Sequence, residues 1–260
     1  MNVKAIVLRS AGSNCDTETV RAFGMAGADA DLVHIRALAE DVTALREASI
    51  LCLPGGFTFG DMVGAGRIMA LELRTLLGEA LREFQERDGL ILGICNGFQV
   101  LVQTGLLPGW DDDTRLALTL NASARFESRW IRVAVEQETL CRFVAPDTLD
   151  PAGAWELPVA HGEGQLVAPD GSIAMLESRH QVVFRCCNAD GAPTDDYPAN
   201  PNGTPGGITG LCDPTGRILG MMPHPERHVS FHQHPAWTRR GEEREGIGLS
   251  LFRGLVEAAR

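Results

Sequence analysis

Lysine is almost missing. Of the 23 basic residues only Lys4 is a lysine, and the rest are arginines. A Schiff-base lysine or a phosphate-loop lysine would have to be Lys4, which sits inside the first apolar segment, and no G-x-x-x-x-G-K-[ST] occurs. Any ATP used in this protein's biology is therefore expected on another chain. Positive charge is also in the minority: against 34 Asp and Glu the net charge is −11, and an acidic surface repels nucleic acid. No apolar run approaches the roughly 20 residues of a membrane helix. The amino terminus lacks the apolar stretch and small-residue cleavage site of a signal peptide. A cytoplasmic protein with no membrane or nucleic-acid partner is expected. The seven cysteines are odd in number and contain no C-x-x-C pair, which speaks against a disulfide framework. Cys52 and Cys212 lie in apolar, strand-like runs, as small core residues do.

What is present is an alternation of strands and helices. Short apolar runs at 3–8, 31–35, 49–53 and 89–94 are separated by helical stripes through Val20 and Phe23, through Leu73, Leu77, Leu81 and Phe84, and through Phe98, Leu101 and Val102. The run at 89–94 is too apolar to alternate, as expected of a strand covered on both faces. This repetition predicts an α/β fold, an open and mostly parallel sheet with helices on both faces. Residues 129–135 and 181–187 predict a small antiparallel extension. A strand at 218–222 and a closing helix through Ile247, Leu251 and Leu255 follow. No repeat or linker divides the chain, so one domain over 1–260 is expected. Residues 188–207 form a loop dense in Pro, Gly, Asn and Asp, long enough to reach a neighbour.

The strongest local signal is Gly93-Ile94-Cys95-Asn96-Gly97, with an apolar strand running in and a helical pattern running out. That is the context of a nucleophile elbow, here with Cys in place of Ser. Glycines at −2 and +2 relieve crowding beside the nucleophile, and the N–H groups opening the next helix favour a thiolate. By composition G-x-C-x-G would arise by chance about 0.1 times in such a chain. A thiolate needs an acid and base, and His224-Pro225-Glu226 after a strand supplies them. Pro225 holds His224 extended, so that His224 and Glu226 share a face and Glu226 can orient the imidazole. Oxyanion donors are expected from the Asn96 N–H and from Pro54-Gly55-Gly56-Phe57, where glycines let the backbone approach a ligand. Histidines at 224, 228, 232 and 234 suggest zinc, but Pro223, Pro225 and Pro235 interrupt the segment and no Cys or acidic residue stands at ligand spacing. A solvated turn is the plainer reading, with no metal.

Pro54-Gly55-Gly56-Phe57, Gly93-Ile94-Cys95-Asn96-Gly97-Phe98-Gln99 and His224-Pro225-Glu226 together resemble the class I, triad-type glutamine amidotransferases. Further segments narrow the resemblance to the glutaminase part of phosphoribosylformylglycinamidine synthase. They are Gly12-Ser13-Asn14-Cys15-Asp16, Phe57-Thr58-Phe59-Gly60-Asp61, Asn121-Ala122-Ser123-Ala124-Arg125-Phe126-Glu127, His161-Gly162-Glu163-Gly164, Tyr197-Pro198-Ala199-Asn200-Pro201-Asn202-Gly203 and Met221-Met222-Pro223-His224-Pro225-Glu226-Arg227. The resemblance implies a flavodoxin-like sheet and hydrolysis of L-glutamine through a Cys95 thioester, with His224 and Glu226 completing the triad. It implies an oxyanion hole from Gly56 and Asn96, Gln99 fixing the substrate, and His161 and Gly162 near its amino-acid end; Gly55 and Phe57 belong to the same substrate-binding set. Ammonia would pass to a synthetase subunit that binds ATP and Mg2+ and converts formylglycinamide ribonucleotide to formylglycinamidine ribonucleotide, in a complex that a small third subunit can join. Residues 143–158 and 228–242 look like added length beside compact members.

Two other readings stay open on the residues alone. A free-standing cysteine hydrolase shares the elbow but has no need of the 197–203 loop. A binding module with a silent site has no need of an intact Cys95, His224 and Glu226.

Overall fold

The computed structural model describes residues 2–110, 114–144, 154–241 and 245–260. Much of the 143–158 stretch thus lies outside the described residues. In chain order the elements are β1 (Lys4–Arg9), α1 (Asp16–Met25), β2 (Asp29–His34), α2 (Ile35–Glu40), α3 (Thr43–Glu47), β3 (Ile50–Leu53), α4 (Arg67–Glu86), β4 (Leu90–Ile94) and α5 (Asn96–Thr104). There follow β5 (Ala117–Leu120), β6 (Glu127–Val135), β7 (Trp155–His161), β8 (Glu163–Val167), α6 (Ser172–Ser178), β9 (Val182–Cys187), β10 (Ile208–Cys212), β11 (Ile218–Met221) and α7 (Gly248–Ala258).

Nine strands form one sheet in the order β2-β1-β3-β4-β11-β10-β9-β6-β7. The five from β2 to β11 are parallel, and the four ladders from β11 to β7 are antiparallel. The α/β architecture read from the sequence is therefore present, with an antiparallel extension four strands wide. β5 and β8 make a separate antiparallel pair. β3, β4 and β11 are buried at every position, which explains their unbroken apolar runs. One helix layer pairs α1 with α7, where Phe23 meets Phe252 edge-on at 5.0 Å; the other packs α4 on α2, α3 and α5.

The second strand begins at Asp29 and ends at His34, because His34 caps α2 by accepting from the Arg36 N–H. Of the 143–158 stretch, Trp155 to Pro158 are not an appendage: they open the edge strand β7, with Trp155 fully buried. The 188–207 loop is anchored through Asn200 and Asn202, both buried, and leaves Tyr197 exposed over Arg129.

The order β1-β3-β4-β11 positions the site. The chain leaves β1 for one edge of the sheet and returns through β3 toward the other, so a crevice opens at the carboxyl ends of these strands. The Gly12–Cys15 segment, Gly55-Gly56, Cys95 and His224 follow four adjacent parallel strands and meet there.

Candidate active site

Cys95 stands between β4 and α5 with φ 51° and ψ −103°, a strained backbone for a residue with a side chain. A Cβ at Gly97 would lie 2.0 Å from Leu53 O, and one at Gly93 would lie 2.7 Å from Gly97 O. The elbow therefore needs both glycines, for the reason the sequence suggested. Its Sγ is buried 3.7 Å from Ala160 O.

The β3 loop closes over the elbow. Gly56 has φ 154°, and a Cβ there would strike Gly12 O at 2.7 Å. The loop is pinned by Phe57 N–H donating to Gly12 O and Cys15 N–H donating to Gly55 O. The N–H groups of Gly56 and Asn96 donate to no group among the described residues. One belongs to the residue after the thiol and the other to the loop whose Thr58 bonds Asn96, and unengaged donors of this kind are what an oxyanion hole requires. Phe57 is exposed and packs on Phe126 at the rim.

His224 is extended, with its N–H on Pro158 O, and its imidazole is 2% exposed. Nδ1 donates to Glu226 Oε1 at 2.6 Å. Glu226 reaches it from a 3-10 turn over Pro225–His228 rather than from extended chain, because the backbone turns at Pro225. Nε2 has no hydrogen-bond partner among the described residues and is left for chemistry. Burial alone would push the imidazole down, but Glu226, then Cys95 and Cys15, raise it well above its ordinary value. Cys95 Sγ lies 3.7 Å from Ala160 O and close enough to His224 to favour its charged form.

Asn96 and Gln99 form the floor. Asn96 Oδ1 accepts from Thr58 N–H and Oγ1, and its Nδ2 donates to Gln99 Oε1 at 2.9 Å and to Asp61 Oδ1 at 3.2 Å. Gln99 Nε2 donates to Glu163 O at 2.6 Å. His161, 2% exposed, donates from Nδ1 to Asn121 Oδ1 at 2.9 Å. Burial and the neighbouring His224 lower its pKa to about 4, so it is neutral, with Nε2 an unfilled acceptor. Gly162, half-buried, links it to β8. The 197–204 loop supports this side: Ala122 N–H donates to Asn202 O, beside the Asn121 that orients His161.

Sequence reasoning missed four contributors. Cys15 packs on His224, and Arg227 packs on Cys15. Asp61, raised to about 6 by burial and by Glu163 against the opposing Asn96 contact, puts a carboxylate pair at one end of the floor. All four residues, Cys15, Asp61, Glu163 and Arg227, stand within the family-like segments, yet nothing in the sequence assigned them a place at the site. His228 and His234 correct the solvated-turn expectation: both are buried, flanking Trp130 at 5.0 and 4.5 Å, and only His232 is exposed. The one grouping of potential metal donors among the described residues is Cys15, His224 and Glu226. Its Nδ1 is committed to Glu226, and the Arg227 guanidinium stands 3.0 Å from its sulfur, which repels a cation.

A CobB/CobQ-like glutamine amidotransferase domain matches residues 2–257. The phosphoribosylformylglycinamidine synthase subunit PurQ of Dehalococcoides mccartyi is 46% identical over 260 residues, 99% of this chain and 98% of that one. The chain belongs to the PurQ family of glutamine amidotransferases. The PurQ subunit of Methanococcus maripaludis is 40% identical over 268 residues, 98% of this chain and 97% of its own. Among solved structures, PurLQS from Thermotoga maritima contains a chain matched with a TM-score of 0.74 and 28% identity over the full length of both. As a PurQ-family enzyme the protein hydrolyses glutamine to supply nitrogen for phosphoribosylformylglycinamidine synthesis in purine biosynthesis. This sets aside the free-standing hydrolase and the silent binding module. Among the described residues no helix is long and apolar enough to cross a membrane.

Proposed function

We propose that Cys95 is the nucleophile of this glutaminase and that His224 and Glu226 are its acid–base pair. The observation that carries this is the elbow thiol set among a buried His224–Glu226 bond and the two unengaged N–H groups of Gly56 and Asn96. The Cys95 sulfur, its proton already held on His224 Nε2, attacks the side-chain amide carbon of L-glutamine. The tetrahedral oxyanion rests on the N–H groups of Gly56 and Asn96. His224 returns the proton to the departing nitrogen, ammonia leaves and a γ-glutamyl thioester remains. Water, deprotonated by His224, attacks the thioester and releases glutamate. Glu226 holds the imidazole and balances its charge throughout. Gln99 and the His161-Gly162 turn fix the substrate, and Asp61 with Glu163 gives the negative field that the α-ammonium of glutamine prefers.

The reading extends to a cytoplasmic complex. Ammonia passes to a large synthetase subunit that binds ATP and Mg2+, and the single lysine and missing phosphate loop of this chain fit that division of labour. A small third subunit belongs to the same proposal, by analogy with the Thermotoga PurLQS assembly. The resting site supports dependence on a partner. Phe59, Asp61 and Val63, all at positive φ, follow the oxyanion loop with Met62 and Val63 exposed. Docking against this segment and the Tyr197 loop closes the site. Glutamine hydrolysis by the pure chain is therefore expected to be slow and to rise when synthetase with bound nucleotide is added. Tyr197→Ala should reduce that rise more than the basal rate. A pure chain already as fast as the assembled enzyme would contradict the partner dependence.

A further inference from the structure

Cys15 sits 209 positions from the triad histidine in sequence and against it in space. Its sulfur lies 3.8 Å from His224 Nδ1 on a thiol that is 1% exposed. The same sulfur accepts from Arg227 Nη2 at 3.0 Å, and Arg227 is held by Glu18 at 2.9 Å. The Cys15 N–H donates to Gly55 O, and a Cβ at Gly55 would lie 3.1 Å from Sγ and 2.6 Å from His224 Cε1. One residue thus touches the loop beside the oxyanion donors, the triad imidazole and the arginine that follows Glu226. Nothing in the reaction steps uses it.

We propose that Cys15 is a positioning residue: its neutral sulfur is an outer, second acceptor for His224 Nδ1–H and fixes the imidazole between Glu226 and the oxyanion loop. The proposal rests on the triad reading above. Sulfur suits the place. It is large and polarizable enough to span the gap to the ring, and a weak acceptor, so it does not compete with Glu226 for the proton. It also stands between the imidazole and the Arg227 guanidinium, so a cation close to a second cation is shielded by an electron-rich atom. Burial pushes the thiol up to about 11, above the contrary pull of His224, so it stays protonated and is not a second nucleophile. With Nδ1–H committed to Glu226, the Cys15 S–H turns to Asn14 Oδ1 at 3.7 Å.

The groups facing His224 are Cys15 and, behind it, Arg227 with Glu18; Glu226 on its own turn; Cys95 at the start of α5; and His161 at the end of β7. Of these, Glu226, Cys95 and Cys15 favour the protonated ring. Removing the Cys15 sulfur takes away one of these three and uncovers Arg227, and both changes lower the pH at which His224 loses its proton.

The test compares Cys15→Ala and Cys15→Ser with the parent chain, each assembled with its synthetase subunit. In Cys15→Ala, kcat for glutamine hydrolysis should fall by about 10-fold with KM changed by less than about twofold, as a misplaced but intact catalytic group does. The alkaline limb of the kcat–pH profile should move to lower pH. Cys15→Ser keeps an acceptor and should recover part of both. A thermal melt on each variant separates loss of fold from loss of alignment, and alkylation of Cys95 against pH reads the imidazole directly on folded protein. A Cys15→Ala enzyme that melts lower but keeps the parent kcat and pH profile would make Cys15 mere packing and overturn the proposal. If Cys95→Ser itself retained activity, the triad reading would fail first, and the two failures are distinct.

Discussion

Cys95→Ser is expected to lower glutamine hydrolysis by roughly 10³-fold or more while leaving the fold intact, because a hydroxyl at the same elbow is a far weaker nucleophile than a thiolate. The fold should survive because the strained turn is held by its surroundings: Gly93 and Gly97 make the space, and Cys95 N–H donates to Met221 O at 2.7 Å, none of which depends on sulfur. Steady-state release of glutamate, with circular dichroism on the same sample, checks both halves. Near-parent activity in Cys95→Ser would remove the nucleophile assignment.

His224→Ala should be almost as damaging, since thiol and imidazole act as one unit. Glu226→Gln should cost less, about 10²- to 10⁴-fold in kcat, because it keeps a hydrogen-bonding group but removes the charge. The pH dependence carries the sign. His224 is raised well above its ordinary value despite burial, with Glu226 the largest cause holding it there. The imidazolium therefore persists through neutral pH in the parent, and activity falls as the pH rises through its titration. In Glu226→Gln that limb should move to lower pH. An unmoved limb, or a His224→Ala enzyme hydrolysing glutamine at the parent rate, would show that another group performs the proton transfers.

The reach and limits of the sequence follow from the distances involved. The elbow could be read because strand, two glycines, nucleophile and helix are contiguous from 89 to 102, and the chemistry forces each residue type. His224 and Glu226 are two residues apart, so their pairing was also local, although the turn at Pro225 changed how they meet. The parallel half of the sheet was legible from unbroken apolar runs. β5, β7, β8 and α6 were not, because they are short and their burial alternates or is partial. The contact of Cys15 with His224 joins positions 209 apart, and the charge of Glu163 reaches Asp61 only after β3 and β8 take their places. The buried state of His228 and His234 depends on Trp130 and Glu156 from neighbouring strands, which no pattern in the 223–235 segment reveals.

If the elbow and its histidine make one of the seven buried cysteines reactive toward glutamine, a glutamine-like electrophile should single it out. The most direct measurement is peptide mapping by mass spectrometry after brief treatment of the chain, assembled with its synthetase subunit, with a glutamine-like electrophile. Label should appear on Cys95 well ahead of Cys15, Cys52, Cys141, Cys186, Cys187 and Cys212, and excess L-glutamine should protect it. Label spread evenly over the seven, or concentrated on Cys15, would contradict the Cys95 assignment.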